Sequence, residues 1–173
     1  MIVQPSNIVL IGMPGSGKST IGIILAKLLG KNFVDTDVLI QTQHGRSLQD
    51  IVDSSGYLSL RAIEEKSLLG LNVNNHVIAT GGSAVYSRSA MEHLKANGIV
   101  VFLNVDLDTI KARVSDFSER GLAKRPEQTV DDLFAERYTL YQKFADITVQ
   151  CVSMTHEEVC VTIMHELKKQ ATD

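Results

Sequence analysis

The sequence predicts an α/β protein with a parallel β-sheet, and three observations support this fold class. Short apolar runs alternate along the chain with longer segments of helical period, a pattern typical of strand–helix–strand units. A glycine-rich loop at residues 12–20 follows the first apolar run and begins an amphipathic segment. No internal repeat or linker interrupts the 173 residues. We therefore expect one domain over residues 1–173, with five strands.

The first half of the chain contains three predicted strands and four predicted helices. In chain order these are strand 8–11, helix 21–29, strand 32–34, helices 38–44, 47–53 and 57–69, and strand 77–80. Gly30 fits the end of the first helix, because glycine adopts the left-handed conformation that closes many helices. Ser47 and Asp50 have the spacing of a capping pair. The glycines at 81 and 82 end the third strand.

The second half continues the alternation with four helices and two strands. In order, we expect helix 87–96, strand 99–105, helix 106–114, helix 129–144, strand 147–151 and helix 155–170. Side chains suited to capping precede or begin these helices: Ser87, Asp106, Thr129 with Asp132, and Thr155 with Glu158. Residues 116–128 are polar, charged and without a period. Such an insertion in a compact α/β domain is either disordered or a functional lid.

Composition excludes some classes of function. The hydrophobic fraction of 44% is ordinary, and the formal net charge of −3 argues against general binding to nucleic acid or membranes. The first residues carry no charged leader pattern, and no apolar run approaches the roughly 18 residues of a membrane span. Cys151 and Cys160 match no metal spacing and are expected to be reduced, buried thiols, with a disulfide as the alternative. We expect a cytoplasmic protein.

The loop at residues 12–20 has the sequence GMPGSGKST and matches the pattern G-x-x-x-x-G-K-[ST]. Between a strand and a helix, this pattern forms a phosphate site from backbone N–H groups and the positive end of the helix. Lys18 would reach the β- and γ-phosphates, and Ser19 would offer its hydroxyl to Mg²⁺. The alternative is a glycine-rich turn that binds nothing. We expect this chain to bind a nucleoside triphosphate.

Other candidate residues follow the predicted strands, where ligands of open parallel sheets bind. Asp35 and Asp37 end the second strand, and on a regular strand both side chains would face the same way. One could hold Mg²⁺ through water, and the other could accept a proton or a hydrogen bond from a substrate hydroxyl. Alternatively, Asp37 only caps the next helix.

Arginines and glycines complete the candidate site. Arg61 and Glu64 are spaced to pair on one helix face, either as a surface ion pair or as an arginine that its glutamate orients toward an anionic substrate. Gly81 and Gly82 form a tight turn or let the backbone approach a ligand. Four further arginines lie in and around residues 116–128, either on a solvated surface or in a closing lid: Arg113, Arg120, Arg125 and Arg137.

These blocks together resemble the shikimate kinases, small enzymes of the nucleoside-monophosphate-kinase-like branch of P-loop proteins. The resemblance covers about residues 6–165. It depends on the order and spacing of residues 12–20, the Asp-Thr-Asp at 35–37, Arg61 with Glu64, the Thr-Gly-Gly at 80–82, and the segments 136–141 and 145–146. It implies a three-layer fold of strand order 2-3-1-4-5 with helices on both faces and a lid. It also implies ATP-dependent phosphorylation of the 3-hydroxyl of shikimate, in aromatic amino-acid biosynthesis.

The resemblance also implies residue roles. The ATP phosphates would be held by Gly15, Ser16, Gly17, Lys18, Ser19 and Thr20, with Mg²⁺ on Ser19 and, through water, on Asp35. Asp37 would bind the acceptor hydroxyl and act as the base. Arg61, Gly82 and Arg137 would bind shikimate, and the helices within residues 38–70 would form the acceptor-binding region. Arg113 would stack on adenine. Arg120 would be the catalytic lid arginine, although Arg125, which precedes a proline, also fits that position.

Three positions differ from the family pattern. Ser83 replaces a third glycine, Leu60 precedes Arg61 where a phenylalanine is usual, and Val52 replaces another phenylalanine of the acceptor pocket. These changes affect the wall of that pocket rather than the ATP half. The leading hypothesis is a monomeric shikimate kinase, an alcohol-group phosphotransferase. The alternatives are a kinase for another hydroxy acid or polyol, such as gluconate, and a regulatory module that binds nucleotide without turnover.

Overall fold

In the computed structural model, which describes residues 5–114 and 121–171, five parallel strands form one sheet. The strands are β1 (Asn7–Ile11), β2 (Asn32–Asp35), β3 (His76–Ala79), β4 (Gly98–Asn104) and β5 (Ile147–Gln150). Their order across the sheet is β2-β3-β1-β4-β5, which confirms the predicted order. Strand β1 is central: Val9 pairs with Ile78 on one side and with Val100 on the other.

Eight α-helices surround the sheet in the described part of the chain. They are α1 (Lys18–Leu29), α2 (Thr36–His44), α3 (Leu48–Ser55), α4 (Tyr57–Leu69), α5 (Arg88–Lys95), α6 (Leu107–Arg113), α7 (Val130–Phe144) and α8 (His156–Gln170). Helices α1 and α8 pack together, as do α4 and α5. Because parallel crossovers are right-handed, connections that move in opposite directions from β1 cover opposite faces of the sheet. None of the described helices is both long and apolar enough to cross a membrane.

Local capping signals were reliable. The predicted pairs form three capping boxes, at Ser47 with Asp50, Thr129 with Asp132, and Thr155 with Glu158. Gly30 ends α1 in the left-handed conformation, at φ 62°.

Two helices begin earlier than expected, α1 at Lys18 and α2 at Thr36, and a 3₁₀ helix at Ala84–Tyr86 was not predicted. The early start of α2 corrects the expectation that Asp35 and Asp37 share a strand. Only Asp35 belongs to β2, and Asp37 lies in the first turn of α2.

The apolar side chains form two clusters. The larger one fills both faces of the sheet and includes Val9, Leu10 and Ile11 of β1, each with 0% of its surface exposed. The smaller one, called here the small core, consists of Ile40, Ile51, Leu60 and Ala123. The small core joins α2, α3 and α4 to the irregular segment after residue 120, and Val52 packs against it. The burial of the sheet fixes the carboxyl ends of β1, β2 and β3 next to one another.

Candidate active site

The loop between β1 and α1 has the backbone expected of a phosphate cradle. Gly15 and Gly17 have φ values of 82° and 93°, a region that non-glycine residues rarely adopt. A Cβ atom on Gly15 would also lie only 2.6 Å from Val114 Cγ2. The Ser16 side chain is 1% exposed, and α1 begins directly at Lys18. Backbone N–H groups of the loop and of the first turn of α1 therefore converge on one cavity of the protein, which these residues help to line.

Lys18 lies over this loop. Its Nζ atom donates hydrogen bonds to the carbonyl oxygens of Gly12 (2.7 Å) and Met13 (2.9 Å). Burial lowers the pKa of Lys18 to about 8, and the negative charge of Asp37 opposes that effect. Lys18 Nζ also donates a longer hydrogen bond to the Ser16 hydroxyl, at 3.5 Å. A buried ammonium group whose hydrogen-bond partners are neutral is well placed to bind an anion, because an anion would supply the counter-charge.

Ser19 and Asp35 form the candidate metal site. The Ser19 hydroxyl donates to Asp35 Oδ2 at 2.5 Å. The other oxygen, Oδ1, caps α2 by accepting from the N–H groups of Asp37 (2.9 Å) and Val38 (3.2 Å). Among the described residues, no group of three or more histidine, cysteine or acidic side chains could hold a metal alone. Two oxygen ligands beside a phosphate loop suit Mg²⁺, which takes few protein ligands and completes its shell with water and phosphate.

Asp37 points into the cavity from the first turn of α2. Burial raises the pKa of its carboxyl group, Lys18 opposes this shift, and the nearby Asp35 adds to it. The alternative that Asp37 only caps the helix is wrong, because Asp35 is the cap. A partly desolvated carboxylate with a raised pKa is a better proton acceptor than an exposed one.

Gly81 and Gly82 bring the backbone close to the polar side chains of the site. A Cβ atom on Gly82 would lie 2.7 Å from Arg137 Nη1 and 2.9 Å from Pro14 Cδ. The Gly82 carbonyl accepts a hydrogen bond from the Tyr141 hydroxyl at 2.7 Å. Tyr141 also stacks on Phe102, with 5.1 Å between ring centroids. Tyr141 therefore packs in the core and also fixes the glycine turn, a role that the sequence did not indicate.

Arg61 and Arg137 meet at one backbone atom, the carbonyl oxygen of Ala123. Arg61 Nη2 donates to it at 2.9 Å and Arg137 Nη2 at 3.2 Å. Arg137 is 1% exposed, and the Nε atoms of both arginines are buried without a partner in the described part of the chain. Arg61 also lies 3.5 Å from the ring centroid of Tyr86. Tyr86 is a site residue that sequence reasoning missed.

The predicted pairing of Arg61 with Glu64 is wrong. Glu64 is 3% exposed and accepts a hydrogen bond from the Ser83 hydroxyl instead. Burial raises the pKa of Glu64 to about 7, with a further contribution from Asp37. The helical spacing was correct, but the two side chains find partners from other elements, which spacing alone cannot reveal.

The remaining arginines lie apart from one another. Arg113 Nη1 donates to the Gly15 carbonyl at 3.3 Å, so it lies against the phosphate loop. Arg125 pairs with Glu136 at 3.0 Å on the protein surface. Arg120 lies outside the described residues. The segment that follows it is anchored, because the Gly121 N–H donates to Gln49 Oε1 at 2.7 Å.

A cavity of about 550 Å³ joins most of these groups. Its lining includes the phosphate-loop residues Gly15, Gly17, Lys18, Ser19 and Thr20, with Arg113 beside them, and from other elements Asp37, Leu60, Glu64, Gly82, Ser83 and Arg137. Asp35 and Arg61 lie just behind this wall, in contact with Ser19 and Ala123 respectively. The cavity can therefore hold a nucleotide phosphate at one end and a compact anion at the other.

Comparison with known proteins gives consistent matches. The sequence model of the shikimate kinase family matches residues 14–168. A shikimate kinase of a Sulfurihydrogenibium species is 35% identical over 165 residues, covering 95% of this chain and 99% of that protein.

Two solved structures are also similar. Shikimate kinase from Acinetobacter baumannii in complex with shikimate has a TM-score of 0.88 and 32% identity, covering 97% of this chain and 95% of that one. Shikimate kinase from Aquifex aeolicus has a TM-score of 0.83 and 36% identity, covering 95% and 98%.

Proposed function

Because the chain belongs to the shikimate kinase family, we propose that it transfers the γ-phosphoryl group of ATP to the 3-hydroxyl of shikimate. ATP is the nucleotide substrate of this family. The observation that carries the proposal is the shared cavity, in which the phosphate loop, Asp37 and Arg137 line one space. Phosphoryl transfer needs a phosphate cradle, charge neutralisation and a held acceptor hydroxyl. Each of these has a candidate in that cavity.

Lys18 and the loop N–H groups bind the ATP phosphates. On binding, the Lys18 ammonium group exchanges its carbonyl partners, Gly12 and Met13, for phosphate oxygens. The nearby anion raises the lysine pKa above the value of about 8 found without a ligand. Lys18 therefore carries a full positive charge where negative charge develops during transfer.

Ser19 and Asp35 would hold Mg²⁺, Ser19 with its hydroxyl and Asp35 with its carboxylate through water. When bound, the metal ion neutralises phosphate charge and orients the transferring group. The hydrogen bond between Ser19 and Asp35 keeps the two oxygens together before the metal arrives. The capping contacts of Asp35 fix its carboxylate to α2, so the metal ligand and Asp37 share one rigid helix start.

Asp37 accepts the proton of the acceptor hydroxyl. Burial raises the pKa of Asp37 and so increases its basicity, while the positive charges of Lys18 and Arg137 favour the carboxylate form. As the hydroxyl oxygen bonds to phosphorus, the bond from phosphorus to the ADP oxygen breaks, and Asp37 takes the hydroxyl proton.

Arg61 and Arg137 bind the acceptor carboxylate. Both now donate to the Ala123 carbonyl oxygen, and both retain an unpartnered Nε–H group. A carboxylate has two oxygens and a full charge, so it is a stronger partner for two guanidinium groups than one amide carbonyl. Gly82 lets the acceptor approach Arg137, since any side chain there would collide with the guanidinium group.

Residues 116–128 form the lid, and residues 38–70 the acceptor-binding region. Leu122 and Ala123 are buried against the cavity and exclude water from it. Arg113 stacks on the adenine of ATP, and Arg120 reaches the phosphates when the lid closes. Arg125 has a surface partner in Glu136, which favours Arg120 for this role.

We also propose that the enzyme works as a monomer in the cytoplasm. One chain supplies every proposed role, so no partner is needed to complete the site. Cys151 and Cys160 are free and buried, which is typical of proteins from reducing compartments. Light scattering at working concentration tests the oligomeric state.

The decisive experiment is steady-state ADP release with Mg-ATP and shikimate, compared with gluconate and with no acceptor. We expect saturable release with shikimate only. Release with gluconate would identify a different acceptor on the same fold. ATP binding without turnover on any acceptor would contradict the proposal and support a regulatory nucleotide-binding module.

A further inference from the structure

Ser83 and Glu64 form a buried pair in the wall of the acceptor cavity. The Ser83 hydroxyl donates to Glu64 Oε2, and the two residues are 8% and 3% exposed. The second oxygen, Oε1, is buried and has no hydrogen-bond partner in residues 5–114 and 121–171. A buried carboxylate oxygen without a partner is costly in a folded protein and is available to accept a hydrogen bond from a ligand.

The free oxygen of Glu64 faces the same place as Asp37. A Cβ atom on Gly81 would overlap Glu64 Oε1 and would lie 2.6 Å from Asp37 Oδ1. Both carboxylates therefore flank the Gly81 backbone on the side of the cavity, which they line together. An acceptor whose reacting hydroxyl contacts Asp37 would bring a neighbouring polar group within reach of Glu64.

The Ser83 hydroxyl does not cap the 3₁₀ helix that follows it. Ser83 precedes the 3₁₀ helix Ala84–Tyr86 but makes no side-chain capping bond to it, and its φ of −96° suits any residue. Among the described contacts, its hydroxyl is used for Glu64. Glycine would be accommodated here equally well, so the hydroxyl itself must account for any functional effect of the serine.

We propose that Ser83 is a positioning residue of the phosphoryl-transfer site, whose hydroxyl holds the Glu64 carboxyl group in place and turns its free oxygen toward the acceptor. This proposal rests on the proposed function for its kinetic consequence. In the structure, the charged groups that face Glu64 are Asp37 from α2, Lys18 from α1 and Arg137 from α7. Asp37 disfavours the carboxylate form of Glu64, whereas Lys18, Arg137 and the Ser83 hydrogen bond favour it.

The direction of the pH effect follows from these contacts. The ionised form of Glu64 accepts hydrogen bonds more strongly than the neutral acid, which carries no charge and has a hydrogen on one of its two oxygens. Loss of the Ser83 donor raises the pKa of Glu64, so the acidic limb of kcat/KM for shikimate should move to higher pH. The measured quantity is the shift of this acidic limb between the parent and its variants.

The test compares Ser83→Ala with Ser83→Thr, which keeps the hydroxyl. At pH 7 we expect Ser83→Ala to raise KM for shikimate roughly fivefold, with KM for ATP unchanged and the loss recovered at pH 9. Ser83→Thr should restore the parent profile. Ser89→Ala is the matched control, because the Ser89 hydroxyl donates to Glu65 on the outside of α4 at 2.7 Å. An unmoved acidic limb in Ser83→Ala, or an equal change in both KM values, overturns the proposal.

A second measurement separates this proposal from the proposed function. The pKa of the Glu64 carboxyl can be followed by ¹³C NMR in glutamate-labelled protein without substrate, assigned through Glu64→Gln. We expect this pKa to rise in Ser83→Ala and to stay at the parent value in Ser83→Thr. Absence of shikimate turnover in the parent would contradict only the proposed function. An unchanged Glu64 pKa in Ser83→Ala would contradict the role of Ser83.

Discussion

Arg61 and Arg137 donate to the same atom, the Ala123 carbonyl oxygen, at 2.9 and 3.2 Å. They arrive from α4 and α7, which are separate helices, and Ala123 belongs to the segment between α6 and α7. One neutral oxygen therefore holds two positive side chains together before an acceptor is bound. The guanidinium pair is preorganised, so exchanging the Ala123 carbonyl oxygen for an acceptor carboxylate costs little free energy.

Replacing Arg61 tests this shared contact. We expect Arg61→Ala to raise KM for shikimate roughly 30-fold, about 2 kcal/mol, because one partner of a desolvated charge pair is lost. KM for ATP should change little, since Arg61 lies at the acceptor end of the cavity. Arg88→Ala is the control, as Arg88 pairs with Glu92 in solvent. An equal rise in both KM values would contradict the assignment of separate ends.

Lys18 should matter for turnover and not for folding. We expect Lys18→Ala to lower kcat by about 10²–10³-fold, the usual effect of removing a charge that stabilises the transition state. Thermal stability should hold or increase, because the substitution removes a buried charge whose partners are loop carbonyls. Lys27→Ala, on the exposed side of α1, should leave both quantities unchanged. Normal kcat in Lys18→Ala would remove Lys18 from the mechanism.

Asp35 combines two roles that can be separated. Asp35→Ala should cost about 1 kcal/mol of stability through loss of the α2 cap, and should also raise the Mg²⁺ concentration needed for half-maximal activity. Asp106→Ala is a matched control, because Asp106 caps α6 through the Thr109 N–H at 2.9 Å. It should show a similar stability loss with no change in Mg²⁺ requirement. Identical Mg²⁺ titrations for the two variants would contradict a metal role for Asp35.

Glu64 should make stability depend on pH in a defined direction. Its pKa is about 7 in the folded protein, above the ordinary value of 4.5. Between these values the folded state binds a proton that the unfolded state has released, so Glu64 lowers stability as pH rises from 4.5 to 7. Glu64→Gln should therefore gain about 3 kcal/mol relative to the parent across that window and remain level above it.

Urea unfolding of the parent and Glu64→Gln at several pH values between 4.5 and 8 measures this difference. Glu65→Gln, one residue along α4, controls for loss of a carboxylate outside the cavity. A stability difference that does not vary with pH would mean that the folded pKa of Glu64 is not raised.

The lid arginine can be identified by comparing two variants. We expect Arg120→Ala to lower kcat at least tenfold, because the proposed function gives the Arg120 charge a role at the transferring phosphate. Arg125→Ala should leave kcat within about twofold and cost less than 1 kcal/mol of stability, because its ion pair with Glu136 lies at the surface. ADP release and urea unfolding measure the two effects. The reverse order of the kcat effects would assign the role to Arg125.

Local rules predicted the elements well because their signals are contained in a few residues. The boxes at Thr129 with Asp132 and Thr155 with Glu158 fixed two helix starts correctly. The start of α2 was missed because Asp35 serves as both strand end and helix cap, and neither role is visible in an apolar period. The glycine-rich loop was found because its chemistry requires a contiguous motif.

The contacts of the acceptor end could not be predicted in the same way. Glu64 accepts a hydrogen bond from Ser83, which lies 19 residues further along the chain. Arg61 donates to Ala123, which lies 62 residues further along. Every residue type has a backbone carbonyl, so the identity of residue 123 could not indicate that its carbonyl oxygen accepts hydrogen bonds from two arginines. Spacing placed Arg61 and Glu64 on one helix face, but tertiary packing decided their partners.

The separation of the two apolar clusters has a consequence for how the protein loses function on warming. Strand β1 has a strand on each side and can be released only when the whole sheet melts. The small core has four buried members, and one of them, Ala123, belongs to residues 116–128, the proposed lid. Small clusters open at a lower free energy than the global unfolding of their domain. The acceptor end should therefore disengage first, and heat inactivation should precede loss of the sheet by several degrees.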